Sequence, residues 1–385
     1  MSVAKPETNP FRFGDLALDD AFTDREEELH ELEADILNGQ NVVIFAPRRY
    51  GKSSLVWRAA QRLSSRRVLV AQIDVMTVTS KEQLAAKLAQ AIYDEIATPL
   101  YRARERAVQI FRSLRITPVM TVDANDGSLG FSFAGGYSRQ DVDATLERLL
   151  QLPAELAAER KRRVCIVFDE FQEVLDLDPG LPSLMRAVFQ TQPDVSHVYL
   201  GSKRSMMDRL FRDANEPFWR SARHMELGVI APDAFAPFIR GRFEETGRRI
   251  DDVALEGVLA ITLGHPYATQ ELCYALWEET QRGRRAGQAE LDRAIERVLR
   301  GENAHFTLIW EQASRVQRAA LYALASEPLV SATSRDFRQR HGLPGPSSVQ
   351  RALDALVEDE VVLRQSAGEY RIAEPFLAEW ILRIP

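Results

Sequence analysis

The chain has 385 residues, 45% hydrophobic and 27% charged, which suits two or three globular domains of ~150 residues and excludes the disordered, collagen and coiled-coil classes. Its 49 basic against 56 acidic residues give a net charge of −7, which argues against a wholesale nucleic-acid binder but not against a local basic patch. Cys165 and Cys273 sit in apolar segments and found no disulfide framework, no apolar run approaches the ~18 residues that span a bilayer, and the first ten residues lack a signal peptide's apolar core, so a cytoplasmic protein with no membrane partner is expected.

Residues 42–54 read Val-Val-Ile-Phe-Ala-Pro-Arg-Arg-Tyr-Gly-Lys-Ser-Ser. The short apolar run Val42–Phe45 predicts a strand, and Leu55, Ala59 and Leu63 at helical spacing predict an amphipathic helix after the intervening loop. Strand, loop with Gly51-Lys52-Ser53, and helix is the setting of a phosphate-binding loop, where backbone N–H groups and a helix N-terminus form a concave anion site. In that reading Ala46, Pro47, Arg48, Arg49, Tyr50, Gly51, Lys52, Ser53 and Ser54 hold the nucleotide. Lys52 reaches the β- and γ-phosphates, and the Ser53 hydroxyl ligates Mg²⁺. Ala46 stands where the motif G-x-x-x-x-G-K-[ST] has its first glycine, which is tolerable if its φ is negative. Arg48 and Arg49 either contact phosphate or cover the surface.

Further along, Val68–Asp74 predicts a strand, and residues 162–172 read Arg-Arg-Val-Cys-Ile-Val-Phe-Asp-Glu-Phe-Gln. The apolar run 164–168 suits a strand buried on both faces of a parallel sheet. Asp169 then emerges at its C-terminal end, where open α/β sheets bind ligands. There it holds Mg²⁺ through water, and Glu170 orients and activates the attacking water. Val198–Lys203 predicts another strand, ending at Ser202, placed either as a polar γ-phosphate sensor or as a plain strand terminus. A fifth strand is expected at His224–Leu227. A strand between the loop strand and the Asp strand, with Glu after Asp, is the pattern of the additional-strand P-loop ATPases.

The segment 99–141 reads as an insertion, with alternating runs flanking Asn125-Asp126-Gly127, a β-hairpin signal. From Ala231 the pattern turns helical: Phe235, Phe238, Ile239 and Phe243 share a face, and helices continue through Arg300. Within them Pro266 falls in the first turn of a helix opened by Leu263-Gly-His-Pro-Tyr267. The remainder predicts a helix with Leu321 and Leu324, a second at Ser334–His341, a third at 348–358, and a two-stranded wing from Val361–Arg364 and Glu369–Ile372. Three helices and a wing make a winged helix. The expected division is 1–230, 231–304 and 305–385.

Taken together, Asn9-Pro-Phe11, Phe22-x-Asp-Arg-Glu-Glu-Glu-Leu29, Pro47–Ser53, Phe168-Asp-Glu-Phe-Gln172, Gly201-Ser202, Pro217-Phe218 and Gly264-His-Pro-Tyr267 carry a resemblance over the whole chain apart from the insertion. The chain resembles the archaeal-type ATPase family, a prokaryotic branch of the STAND class within or beside AAA+. The resemblance implies an α/β nucleotide domain, a helical lid and a winged helix that switch between ADP-bound closed and ATP-bound open states. It also implies that the segment of Phe22 and Arg25 lies beside the adenine and that Pro266 touches bound nucleotide. Arg220 and Arg223 fall where related ATPases often carry an arginine aimed at a γ-phosphate, against which stands a surface salt bridge.

Residues 305–385 hold nine Arg and ten Asp or Glu, and the recognition-helix segment offers Arg351 against Asp354 and Glu358. A major-groove reader presents more donors than that. Two functions stay open: an ATP-hydrolysing switch that reports to a protein partner, and a DNA-associated ATPase with the winged helix on duplex. An oligomer in the ATP state is compatible with either.

Overall fold

The structure, a computed structural model, describes residues 8–14, 22–96, 114–116, 118–122, 129–133, 136–328, 331–365 and 368–384. They form two compact units. One comprises Arg25–Arg48 and Lys52–Gly228; the other comprises the described residues of 1–24, Arg49–Gly51 and the part from Val229 onward.

The first unit is built on a five-stranded parallel sheet in the order β2-β5-β6-β1-β7, from β1 (Val42–Phe45), β2 (Leu69–Asp74), β5 (Val164–Asp169), β6 (Val195–Gly201) and β7 (Arg223–Glu226). The strands that continue the motifs are central: β1 lies between β6 and β7, and β5 between β2 and β6. Residues 164–168 and all of β6 are buried, as a sheet covered on both faces requires. Strand β6 starts three residues earlier than expected because Val195, Ser196 and His197 pair with Val164, Cys165 and Ile166.

Helices Lys52–Ser65, Lys81–Ile96, Arg139–Arg160, Leu181–Phe189 and Arg204–Arg212 belong to the same unit. Its core includes Phe168, Phe171, Phe189, Tyr199, Phe211 and Phe218, with the rings of Phe171 and Tyr199 4.6 Å apart. This aromatic block lies directly behind the residues that follow β5. The hairpin strands β3 (Val119–Val122) and β4 (Leu129–Ser132) pair antiparallel, as the alternating runs predict. Their Asn125-Asp126-Gly127 turn, and most of the 99–141 insertion, lie outside the described residues.

The second unit is mostly helical. It contains Pro232–Glu245, Asp252–Thr262, Pro266–Glu279 and Gln288–Gln312, with a short parallel pair, β8 (Arg249–Ile250) and β9 (Arg285–Ala286). The last long helix runs past Arg300 to Gln312, since Phe306 on its core side is fully buried and extends the apolar face. Arg315–Ser326, Arg335–Arg340, Pro346–Glu358 and the antiparallel pair β10 (Val362–Arg364) and β11 (Tyr370–Ile372) follow, with a closing helix Pro375–Ile381. The helix expected at 348–358 begins two residues sooner. Pro346 sits in its first turn, where a missing N–H costs nothing, and no side chain caps it. One continuous apolar core runs from Phe11, Phe235 and Phe243 through Leu272 to Leu321, Leu353 and Phe376. Among the described residues, no helix is long and apolar enough to cross a membrane.

Candidate nucleotide-binding site

The phosphate loop leaves the C-terminal end of β1. Ala46 is fully buried, and its N–H donates to Gly201 O of the neighbouring strand at 3.3 Å. It is not among the residues of positive φ, so the extra methyl brings no backbone strain. The left-handed positions of the loop are Arg49 (φ 66°) and Gly51 (φ 87°), and open space surrounds a Cβ built on Gly51. Glycine is needed at 51 for its φ and not for room.

The loop tip, Arg49–Gly51, groups with the helical unit. Arg49 Nη1 lies 3.2 Å from Glu374 Oε2, and its guanidinium stands 4.3 Å from the ring centre of Tyr267. Tyr50 is buried; its ring meets His265 edge-on at 4.7 Å, and its hydroxyl accepts from Arg371. Burial and the cations Arg371 and Arg49 push the His265 imidazole down to about 3. His265 therefore stays neutral, and its Nδ1 accepts from Ala268 N at 3.2 Å, capping the helix that Pro266 begins.

Within the sheet unit the motif residues converge. The buried Lys52 opens its helix, and its Nζ donates to Ala46 O at 2.7 Å and Pro47 O at 3.2 Å, across the concavity of the loop. Ser53 Oγ donates to Asp169 Oδ2 at 3.0 Å, and Glu170 N donates to Asp169 Oδ1 at 3.0 Å. Burial raises the Asp169 carboxyl above the usual carboxylate range, against the pull of the Ser53 hydrogen bond and of Lys52. Glu170 takes a left-handed turn (φ 50°) off the end of β5, and its Oε2 accepts from the buried Ser202 Oγ at 2.8 Å.

The donor set at Ser53 and Asp169 fits Mg²⁺. A hydroxyl and a carboxylate oxygen share one spot, and this hard cation typically takes few protein oxygens, completing its shell with phosphates and water. Among the described residues there is no cluster of three or more His, Cys, Asp or Glu side chains suited to a metal.

Other expected residues lie elsewhere. Ser54 is buried in the first turn of the loop helix, and Arg48 is exposed. Arg25 is buried, with φ 71°, and its guanidinium donates to Gly228 O and to Glu28 at 2.8 Å. Phe22 is half-buried. Arg220 is exposed, at φ 50°, with its guanidinium 5.0 Å from the Trp219 ring. Arg223, in contrast, pairs with Asp35 and Glu31, each at 2.9 Å, which is the salt-bridge alternative realised. Sequence reading named Gln172 only within the motif that carries the resemblance, read Arg371 of the wing as able to touch phosphate, and gave no role to Glu374. Gln172 stands two residues after the motif acid and was visible there; Arg371 instead meets the Tyr50 hydroxyl, and Glu374 carries no local signal.

The family model described as an ATPase domain predominantly from Archaea matches residues 22–272, and one for a probable winged helix domain matches residues 304–383. No curated protein sequence matches significantly. Among solved structures, a Walker-type ATPase of Pyrococcus abyssi is similar at TM-score 0.64 and 18% identity, over 96% of this chain and 98% of that one. Aeropyrum pernix ORC2, in its ADPNP–ADP complexes, is similar at TM-score 0.52 and 13% identity over 96% and 97%. Aeropyrum pernix ORC1 in complex with DNA is similar at TM-score 0.50 and 14% identity over 94% and 93%. At such identities the likeness speaks for the fold: a P-loop ATPase sheet with a C-terminal winged helix. With its family match spanning well over half of the sequence, the chain belongs to the family of ATPases found predominantly in Archaea.

Proposed function

We propose that this protein is an ATP-binding and ATP-hydrolysing molecular switch of the STAND and AAA+-like kind, in which nucleotide state is coupled to lid and winged-helix rearrangement. In this reading residues 1–230, with the 99–141 insertion, hold ATP or ADP, 231–304 are the lid and 305–385 the winged helix. The observation that carries it is the 3.0 Å bond from Ser53 to Asp169, which joins the hydroxyl of the phosphate loop to the carboxylate at the end of β5. Bound Mg²⁺ would neutralise charge building on the β- and γ-phosphates.

This chain's own groups then divide the work. Lys52 leaves its backbone acceptors for phosphate oxygens, the N–H groups from Gly51 to Ser54 cradle the phosphates, and Glu170 orients the attacking water and accepts its proton. Ser202 senses the γ-phosphate, Arg220 supplies a cation to it, and Phe22, Arg25 and Pro266 frame the nucleoside. The switch is supported by the loop tip, since Arg49 is held by Glu374, just after the second wing strand, and Tyr50 by Arg371 within that strand. Turnover is slow or partner-regulated, in a cytoplasmic protein with a protein partner and an oligomer in the ATP state. Measuring ATP turnover and nucleotide binding in the parent, Lys52→Ala and Glu170→Gln tests this. Loss of binding in the first and of turnover alone in the second is expected; unchanged hydrolysis in Glu170→Gln would remove Glu170 from the mechanism.

A DNA-associated ATPase is the second reading, favoured by the shared fold with Aeropyrum pernix ORC1, which was captured with DNA. The helix Pro346–Glu358 weighs against it: Gln350 is engaged with Asp354 at 2.7 Å, and Arg351 Nε with Ser347 O at 3.4 Å. Duplex binding at low salt with a steep salt dependence would establish the second reading, and its absence would discard it.

A further inference from the structure

Gln172 is fully buried in the short turn Phe171–Glu173 that follows the motif acids. Its Nε2 donates to Glu170 Oε2 at 2.5 Å and also faces Glu173 Oε1 at 3.3 Å. Glu173 is in turn paired with Lys203 at 3.1 Å. The amide orientation is chemically fixed, because a flipped carboxamide would set its oxygen against two carboxylates. Its Oε1 has no hydrogen-bond partner among the described residues, although it is buried. A buried carbonyl left unpaired costs about 1–3 kcal/mol, so this side chain is not arranged for stability.

Strand β6 makes room for it. A Cβ at Gly201 would lie 2.8 Å from Gln172 Oε1 and 2.4 Å from Met207 Cγ and Sδ. A side chain there would crowd Met207 and the Gln172 carbonyl, next to the position of Ser202. Glu170 itself begins from a strained left-handed φ, and the residue after it, Phe171, is locked against Tyr199 and Phe218. Both hydrogen bonds to its carboxylate, from Ser202 and Gln172, fall on the single oxygen Oε2.

From this geometry we infer that Gln172 is a positioning residue for Glu170: it fixes one carboxylate oxygen from below, so that the other faces the attacking water. The inference rests on the assignment of Glu170 made above. Two donors converging on one oxygen define the plane and tilt of the carboxylate, which one donor alone does not. The chain Lys203–Glu173–Gln172–Glu170–Ser202 links this orientation to the sensor position, Ser202, and to the residue that follows it.

The test is single-turnover ATP hydrolysis by the full chain carrying Gln172→Leu, which keeps volume and removes the donors, alone and combined with Glu170→Gln. Glu170 keeps Ser202 and Glu173 keeps Lys203 in this variant, so folding and ATP affinity should be preserved, read by thermal melting and nucleotide titration. The expected result is a loss in rate of about tenfold to a hundredfold, the size of a misplaced reacting group, with ATP affinity unchanged. In the Glu170→Gln background the same change should produce no further loss. Parental or faster turnover in Gln172→Leu, or a further loss of equal size in the double variant, would overturn the inference while leaving Glu170 in place. Undiminished hydrolysis in Glu170→Gln alone would overturn the assignment of Glu170 and the inference with it.

Discussion

Arg49 Nη1 and Glu374 Oε2 lie 3.2 Å apart, and Arg49, with the Tyr267 ring beneath it, acts on Glu271 and Glu374, two carboxylates that Glu302 repels. Burial and mutual repulsion push Glu271 up to about 8, and burial pushes Glu374 up to about 6, with Arg49 acting against both shifts. Each folded value exceeds the ordinary 4.5, so between the two the folded state binds more protons than the unfolded chain. Stability is therefore fully present below about 4.5 and is lost as pH rises, through about 6 for Glu374 and about 8 for Glu271. Unfolding free energy should fall by up to ~1.4 kcal/mol per pH unit for each group below its folded value, so the melting temperature should drop from pH 5 to pH 8. Glu271→Gln should flatten the upper part of this curve. A melting temperature that is level or rises over that range would show that these carboxyls are not held as described.

Lys52→Ala should raise the ATP dissociation constant at least ~100-fold, because two ligand phosphates lose a buried cation that here spans to Ala46 O and Pro47 O. A modest loss of stability should accompany it, since the carbonyl of the fully buried Ala46 loses this donor. Fluorescent-nucleotide titration with a melting control decides this, and binding of parental strength would move the phosphate site away from the loop.

Gly264 sits at φ 72°, and a Cβ there would come within 2.2 Å of Ile230 O. The same two residues are joined by the bond from Ile230 N to Gly264 O at 2.9 Å. Gly264→Ala meets both an unfavourable φ and a backbone atom that cannot swing away. A loss of about 2–4 kcal/mol is expected, the range of a severe packing clash with strain. Chemical denaturation should place Gly264→Ala well below Gly301→Ala, where open space surrounds the new methyl on a helix.

Much of this was legible in the residues, and the limits have physical causes. Strand β1, the loop and the acid pair after β5 announce themselves through apolar runs that end in polar side chains. The sheet order follows less directly, because parallel neighbours come from distant segments and register depends on burial of both faces. Gln172 stood in plain view after Asp169 and Glu170, yet its meaning comes from Gly201 and Lys203, some thirty residues away. Arg371 and Glu374 could not be linked to Tyr50 and Arg49 by any spacing rule, being more than 300 residues apart in sequence. The early start of the helix at Pro346 was a matter of first-turn proline chemistry, which needs no N–H there.

Arg220 and Arg223 separate by their surroundings. Arg223 is tied to Asp35 and Glu31 in the sheet unit, so Arg223→Ala should lower stability modestly, by up to about 1 kcal/mol, and leave turnover per folded molecule unchanged. Arg220 is exposed and rests against the half-exposed Trp219, with no ion pair among the described residues. An arginine in that condition is available to a phosphate, its own or that of another copy. If it serves a γ-phosphate, Arg220→Ala should reduce turnover by about 10³-fold or more while ATP still binds. Assaying over a wide range of protein concentration separates the two geometries. Parental turnover per molecule that rises with concentration, and a defect rescued by mixing Arg220→Ala with Glu170→Gln, would mean the arginine acts on a neighbour's nucleotide. A concentration-independent rate would mean it acts within one chain, and unchanged turnover in Arg220→Ala would remove it from the mechanism.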